Sequence, residues 1–407
     1  MDDKMLKEDY DRICLKVRQN CQKIGNDLRE FPAREDGDYF APDRSSIRTI
    51  KHIFGWTQSF FTGMALLGAN HQGDYSLLRW CEQFYESYWH KVFVTPADTM
   101  HDLGFLYTLY STMAYRLTGD SKMRDLSLRA AEVLAHRYMP ACHCIRAWGR
   151  MDDTIPEGLE EELRDNNFFV RSRGLAIIDC MMNLPLLFWA GQETSDPFFT
   201  AVACAHADTT MRYFIRPDGS VCHAYRFDPE TGRPLEEFND CGYAVGSFWA
   251  RGAAWAVYGF GVAWRYTGYA RYRDAALRIA RAYLAACGTD PIPPWDFRLP
   301  KDQPARYGGL QRPWSRWDIT RSENCVYNVD TSAAVIMSCA FLELGESDPD
   351  LRDYVERTVA AIRPYLNLKA ECPGLLARTN GTDTYACYGD YFVMELFARL
   401  CGEAAPW

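Results

Sequence analysis

Apolar residues recur at three- and four-residue spacing along most of this chain, the period of a helix with one buried face. Following that spacing between stop signals predicts twelve helices, near 5–29, 56–69, 74–94, 99–117, 121–138, 174–191, 196–214, 246–268, 271–289, 329–344, 349–366 and 388–402. Several ends are legible. Thr95-Pro96 ahead of Thr99 and Asp102 opens one helix, and Thr118-Gly119-Asp120 closes it. Tyr266-Thr267-Gly268 and Leu344-Gly345-Glu346-Ser347 are further stops. Alternation beside turn residues, the mark of a strand, is confined to connections, as at GSVCHAYRF (219–227). Hairpins recurring every ~35–60 residues without a repeat motif favour a closed ring over an open solenoid. Twelve helices make six hairpins, so the expected fold is all-α, an (α/α)6 barrel formed by residues 1–407 as one catalytic domain.

Three connections are long and polar: 148–173, 216–245 and 290–328. Loops of that length inside a compact domain usually carry function. The last is rich in Trp and Arg, with Trp295, Arg306, Arg312, Trp314, Arg316 and Trp317.

Composition narrows the partners. A net charge of −9 over 407 residues argues against nucleic acid, whose phosphates need a basic face. An anionic ligand would need a local cluster of cations within an acidic protein. No apolar run reaches the ~18–20 residues that span a membrane. The opening MDDKMLKEDYDRIC has no apolar segment of the secretory kind, so the expected location is the cytoplasm and the fifteen cysteines are expected to be reduced. Cys14, Cys180, Cys204, Cys287, Cys339 and Cys401 fall on apolar helical stretches and read as small core residues. ACHC (141–144) lacks a second ligand pair at zinc spacing, and no metal is expected there.

The candidate chemistry starts with two carboxylates. Asp179 interrupts IIDCMMNLPLLFWA (177–190), an otherwise almost wholly apolar run. A buried charge without compensation is costly enough that the group takes up a proton instead. Asp179 is therefore either a satisfied structural acid or a tuned proton donor. Asp102, in TMHDLGFLYTLY, lies like Asp179 near the first turn of an expected helix, where the dipole alone also favours an acid. Cations follow: His223 in SVCHAYRF, and Arg251 four residues before Trp255 in ARGAAWAVYG, on one helix face. Such a pair can grip a carboxylate and pack an apolar sugar face, or be an Arg lying over a core Trp. Arg146 and Trp148 in CIRAWG repeat the combination on a loop. No serine-nucleophile elbow, phosphate-binding loop, zincin helix or dinucleotide fingerprint occurs.

Taken together, HDLGFLY, CIRAWG, IIDCMMNLPLLFWA, ARGAAWAVYG, VDTSAA (329–334) and YGDYF (388–392) resemble the unsaturated glucuronyl hydrolases, glycoside hydrolase family 88, in order and over about residues 50–395. The resemblance implies an (α/α)6 barrel with the active site in its mouth and an oligosaccharide substrate left by a polysaccharide lyase. It implies hydration of the C4=C5 double bond of a nonreducing-end uronate, with no cofactor and no metal. By the same carry-over Asp179 is the general acid and base, and Asp102 the second essential carboxylate. His223, Arg251 and Trp255 bind the uronate, Trp56 (in FGWTQSFFTGM) and Trp148 wall the sugar, and His101 and Arg146 belong to the substrate-binding set.

Two departures bear on substrate preference. Cys241 in CGYAVGS (241–247) stands where family members often have Gln, with the following acidic pair missing. The Ser- and Lys-containing segment of members acting on sulfated fragments has no counterpart in LLARTNGTDTYACYGDYF (375–392). The expected partners are unsaturated uronate-containing oligosaccharides, with no nucleic acid and no membrane, for a monomer or small homo-oligomer. The alternatives are an unsaturated rhamnogalacturonyl hydrolase on pectin fragments, a histidine-dependent sugar epimerase on the same toroid, or a toroid that binds carbohydrate without turning it over.

Overall fold

The computed structural model describes residues 3–24, 34–35, 50–159, 169, 172–299, 329–345, 348–369, 373–379 and 385–407. Two kinds of helix alternate along it, and their composition separates them. One kind carries a stripe. In α1 (Asp3–Ile24) the buried positions include Leu6, Tyr10, Ile13, Cys14, Val17 and Cys21, at helical spacing on one face. The same holds for α3 (Tyr75–Glu82) with α4 (Tyr85–Phe93), α7 (Ser121–Ala135), α9 (Pro197–Tyr213), α11 (Ala270–Cys287) and α13 (Pro349–Ile362).

The other kind is buried nearly all round: α2 (Ser59–Gln72), α5 (Leu103–Tyr107) running through a π-helical turn into α6 (Met113–Thr118), α8 (Leu184–Thr194), α10 (Ala250–Thr267), α12 (Thr331–Leu344) and α14 (Cys387–Leu400). A helix apolar on every side needs protein on every side. These helices pack α2 on α5, α5 on α8, α8 on α10, α10 on α12, α12 on α14 and α14 back on α2, closing an inner ring within the outer one. The fold is an (α/α)6 barrel.

Several expected helices differ in detail. The span 74–94 is broken at Gln83 and Phe84 into α3 and α4. The span 99–117 begins only at Leu103 and widens into π geometry over Thr108–Thr112. The span 174–191 is corrected most: β4 (Leu175–Ile177) comes first, then a 3-10 turn (Ile178–Met182), and α8 starts only at Leu184. Apolar residues on both faces gave no period with which to separate strand from helix. The expected helix at 5–29 ends at Ile24, and 25–29 lie outside the described residues.

Strands do occur in the connections. β2 (Tyr138–Met139) pairs with β3 (Cys144–Ile145), and β1 (Arg34–Glu35) with β7 (Tyr385–Ala386). β5 (Ala224–Phe227) lies between β4 and β6 (Pro234–Phe238), antiparallel to both. Most of the Trp- and Arg-rich connection 290–328 lies outside the described residues. Cys14, Cys180 and Cys339 are fully buried, and Cys204, Cys287 and Cys401 partly so.

Candidate active site

The six inner helices place their N-terminal ends together, and both candidate acids and Arg251 come from such ends. Trp56 precedes α2, and Asp102 is the N-cap residue of α5. Asp179 lies in the turn leading to α8, and Arg251 is the second residue of α10. Asp330 caps α12, accepting the N–H of Ala333 at 3.2 Å, and Tyr388 is the second residue of α14. Inner helices run parallel, so their positive dipole ends converge on this mouth and favour an anionic ligand.

Two local devices bring the acids together. An added Cβ on Gly104 would lie 2.2 Å from Asn183 Cα, so only glycine lets α5 approach the Asp179 turn this closely. Asn183 Oδ1 then accepts the N–H of Phe105 at 2.8 Å, tying one acid-bearing segment to the other. Gly259 plays the same part for α10, where an added Cβ would meet Met181 Cβ at 2.5 Å. The pairing of Ile177 with Ala224, continued by Ile178 N–H donating to His223 O at 2.9 Å, sets His223 beside Asp179. His223 Nε2 lies 3.9 Å from Asp179 Oδ2.

Both acids sit at the bottom of a cleft, with 14 % of the Asp102 side chain and 16 % of the Asp179 side chain exposed. Burial is the largest influence on each and pushes each up to about 7. The charge of Asp179 raises Asp102 further, while Arg137 and Lys91 hold it down. Arg251 is the leading influence opposing the rise of Asp179. Near neutral pH the pair therefore holds about one proton between two carboxylates, which supplies an acid and a base at once. Asp179 Oδ2 is enclosed and meets no hydrogen-bond partner among the described residues. His101 is held well below its ordinary pKa, chiefly by burial, so the imidazole 3.5 Å from Asp102 Oδ1 is neutral.

The remaining predicted residues divide. Arg251 donates to Asp330 Oδ2 at 3.0 Å, and its guanidinium lies 4.6 Å from the Trp249 ring centre and 4.7 Å from that of Tyr388. Trp56 stacks on Tyr388 with centres 5.8 Å apart and planes 16° apart, keeping part of its surface open. Trp148, also part-exposed, tilts toward His223 at 6.3 Å. Trp255 is fully buried against Phe105 and Phe392, so it offers floor under Asp179 and no open face for a sugar. Arg146 points elsewhere: its guanidinium donates to Asp153 Oδ1 at 2.7 Å, Trp148 O at 2.9 Å and Phe169 O at 2.8 Å. Those bonds brace the loop carrying Trp148. Cys241, in the segment after β6, is half-buried.

Other residues gave no sequence signal of their own. Arg137 donates to the carbonyls of Thr99, Arg146, Ala147 and Gly149, fixing the backbone around His101. Lys91 donates to the carbonyls of His52 and Asp98, and burial lowers its pKa to about 8. Trp249 and Tyr388 sandwich Arg251, although each stands within a motif or two residues from one. Tyr388 reaches Arg251 from far away in sequence, and Trp249 from two residues before it.

The sequence profile of Glycosyl Hydrolase Family 88 matches residues 41–277. The chain belongs to glycosyl hydrolase family 88. Relatives in the family are similar over nearly the whole length. The unsaturated glucuronyl hydrolase of Bacillus sp. (strain GL1) is 32 % identical over 398 residues, 94 % of this chain and 93 % of that protein. The unsaturated chondroitin disaccharide hydrolase of Streptococcus pyogenes serotype M1 is 29 % identical, covering 96 % of this chain and 90 % of that one. The crystal structure of the Bacillus sp. GL1 unsaturated glucuronyl hydrolase, an enzyme responsible for glycosaminoglycan degradation, superimposes with a TM-score of 0.75 at 31 % identity, over 96 % of this chain and 95 % of the other.

Proposed function

We propose that this family member removes the 4,5-unsaturated uronic acid from the nonreducing end of lyase-generated oligosaccharides by hydrating its double bond. The observation that carries the reading is the buried pair Asp102 and Asp179, both raised to about 7 in a mouth that also presents Arg251 and aromatic walls. Relatives at about 30 % identity that act on unsaturated glucuronyl or chondroitin disaccharide substrates support the same substrate class.

In this reading Arg251, steadied by Asp330, and the converging helix ends hold the uronate carboxylate. Trp56 and Trp148 flank the sugar. Protonated Asp179 delivers its proton to C4 as a water oxygen bonds to C5, and its carboxylate takes the proton that water gives up. Asp102, ionised, orients the ring hydroxyls and stabilises the positive charge developing toward C5. The product is a hemiketal at C5. Its ring opens, C1 becomes a hemiacetal, and collapse of that hemiacetal releases the remaining sugar as an alcohol. His223 and His101 orient the two acids, Trp255 lies under Asp179, and Arg146 holds the Trp148 loop.

We place the enzyme in the cytoplasm, a reducing compartment that fits the free thiols of the described cysteines. No helix among the described residues is long and apolar enough to cross a membrane.

The test is loss of ultraviolet absorbance from the conjugated double bond, using purified protein and unsaturated disaccharides of chondroitin, hyaluronan, heparin, ulvan, alginate and pectin types. Decay on at least one glucuronyl-type sugar, abolished by Asp179→Asn, is expected. Decay confined to the pectin type would move the reading to the rhamnogalacturonyl hydrolases. No decay on any sugar would make this a binding toroid.

A further inference from the structure

The imidazole of His223 is held between two aspartates. On one side its Nδ1 accepts the main-chain N–H of Asp240 at 3.0 Å, and on the other its Nε2 lies 3.9 Å from Asp179 Oδ2. A neutral imidazole that accepts at Nδ1 carries its proton on Nε2, so that N–H faces Asp179.

The segment bearing Asp240 is braced. Asn239 Oδ1 accepts the N–H of Gly242 at 3.0 Å, and Asn239 Nδ2 donates to Gly242 O at 2.7 Å. Asp296 Oδ2 accepts the N–H of Tyr243 at 2.9 Å. Gly242 has no space for a side chain, since an added Cβ would lie 2.4 Å from Ser247 Oγ and 2.7 Å from Asn239 Oδ1. The main-chain N–H of Asp240 is thereby held at a constant place against His223.

We propose that Asp240 is a positioning residue for proton transfer at Asp179. Its main-chain N–H fixes the His223 tautomer, and its carboxylate adds a negative charge beside Asp179 that favours the protonated acid. The proposal rests on reading Asp179 as the proton donor. Among the described residues, the charged and titratable groups facing Asp179 are His223 from the approach to β5, Arg251 from α10, Asp102 from the start of α5, Asp240 from the segment after β6 and the neighbouring Cys180. Arg251 opposes protonation of Asp179, and Asp240 acts in the same direction as burial. Asp240 thus offsets part of the effect of the cation that binds substrate.

The experiment follows the Asp179 carboxyl carbon by nuclear magnetic resonance through a pH titration of the full chain. Asp179→Asn assigns the signal. In Asp240→Asn, which keeps the main-chain N–H, the Asp179 midpoint is expected to fall by about half a pH unit or more. Asp240→Glu, which keeps the charge, is expected to stay close to wild type and serves if the Asn variant folds poorly. Nitrogen spectra of wild-type His223 are expected to show a bare Nδ1 and a protonated Nε2. With substrate, the alkaline limb of kcat should move by the same interval as the carbon midpoint. An unchanged Asp179 midpoint in Asp240→Asn, or a protonated Nδ1, would overturn the proposal. Loss of kcat at every pH without a shift would reduce Asp240 to a structural role. The resonance measurements need no substrate, so they remain decisive even if every unsaturated sugar proves inert.

Discussion

The two ends of the barrel both bury acids, and two of these, Glu395 and Asp179, are treated in opposite ways. At the end away from the mouth, Glu395 of α14 is fully buried, and burial raises its pKa as it does those of Asp102 and Asp179. There every oxygen is met. Tyr258 donates to Oε1 and the Trp407 indole to Oε2 at 2.8 Å, while Arg399 donates to Tyr258 at 2.8 Å and to Glu343 at 3.1 Å. Arg265 bonds Glu343 and holds the Trp407 carbonyl at 2.6 Å. At the mouth, Asp179 keeps an enclosed oxygen without a partner among the described residues. Burial alone therefore does not mark a functional acid. A fully bonded acid is part of the frame, whereas one left incomplete is free to exchange a proton with a ligand.

Substitutions can break this contrast. The largest effect is expected for Asp179→Asn, with turnover falling about 10³-fold or more, or about 4 kcal/mol, in a protein of unchanged circular dichroism. Glu395→Ala is expected to behave the other way. It should lower stability by about 3 kcal/mol in urea unfolding, by stranding its donors, and leave kcat of the folded fraction unchanged. Asp330→Asn loosens Arg251, and a roughly tenfold rise in KM with little change in kcat is expected from steady-state kinetics.

The smallest effect sharpens the comparison through pH. A carboxyl raised to about 7 in the fold and near 4 in the unfolded chain holds more protons when folded across that window, so stability falls as pH rises through it. Asp179→Asn removes that loss. A melting temperature a few degrees above wild type is expected at pH 8, with no gain at pH 4.

Much of this is legible in the sequence. The helices are predicted from one period, and the glycine stops at Gly119 and Gly268 adopt the left-handed conformation expected of them. Asp102, expected at a helix start, stands at the N-cap position of α5 without a side-chain bond to the helix. Asp179 stood out because nothing beside it in sequence could neutralise it. What stayed hidden depended on how the connecting segments fold back on themselves. That Arg146 would be consumed by carbonyls, or that Asp240 would touch the far side of His223, follows from folding and leaves no local period. β4 was missed because a strand buried on both faces and a buried helix present the same apolar run.

The closing contact of the inner ring joins the start of α2 to the start of α14, where Cys387 Sγ meets Thr57 O across 330 residues of chain. Trp56 and Tyr388, which meet beside Arg251, belong to this seam. A growing polypeptide therefore has no complete cleft until α14 has left the ribosome and docked. A chain stopped short of α14 would lack Tyr388, and with it one side of the aromatic sandwich around Arg251.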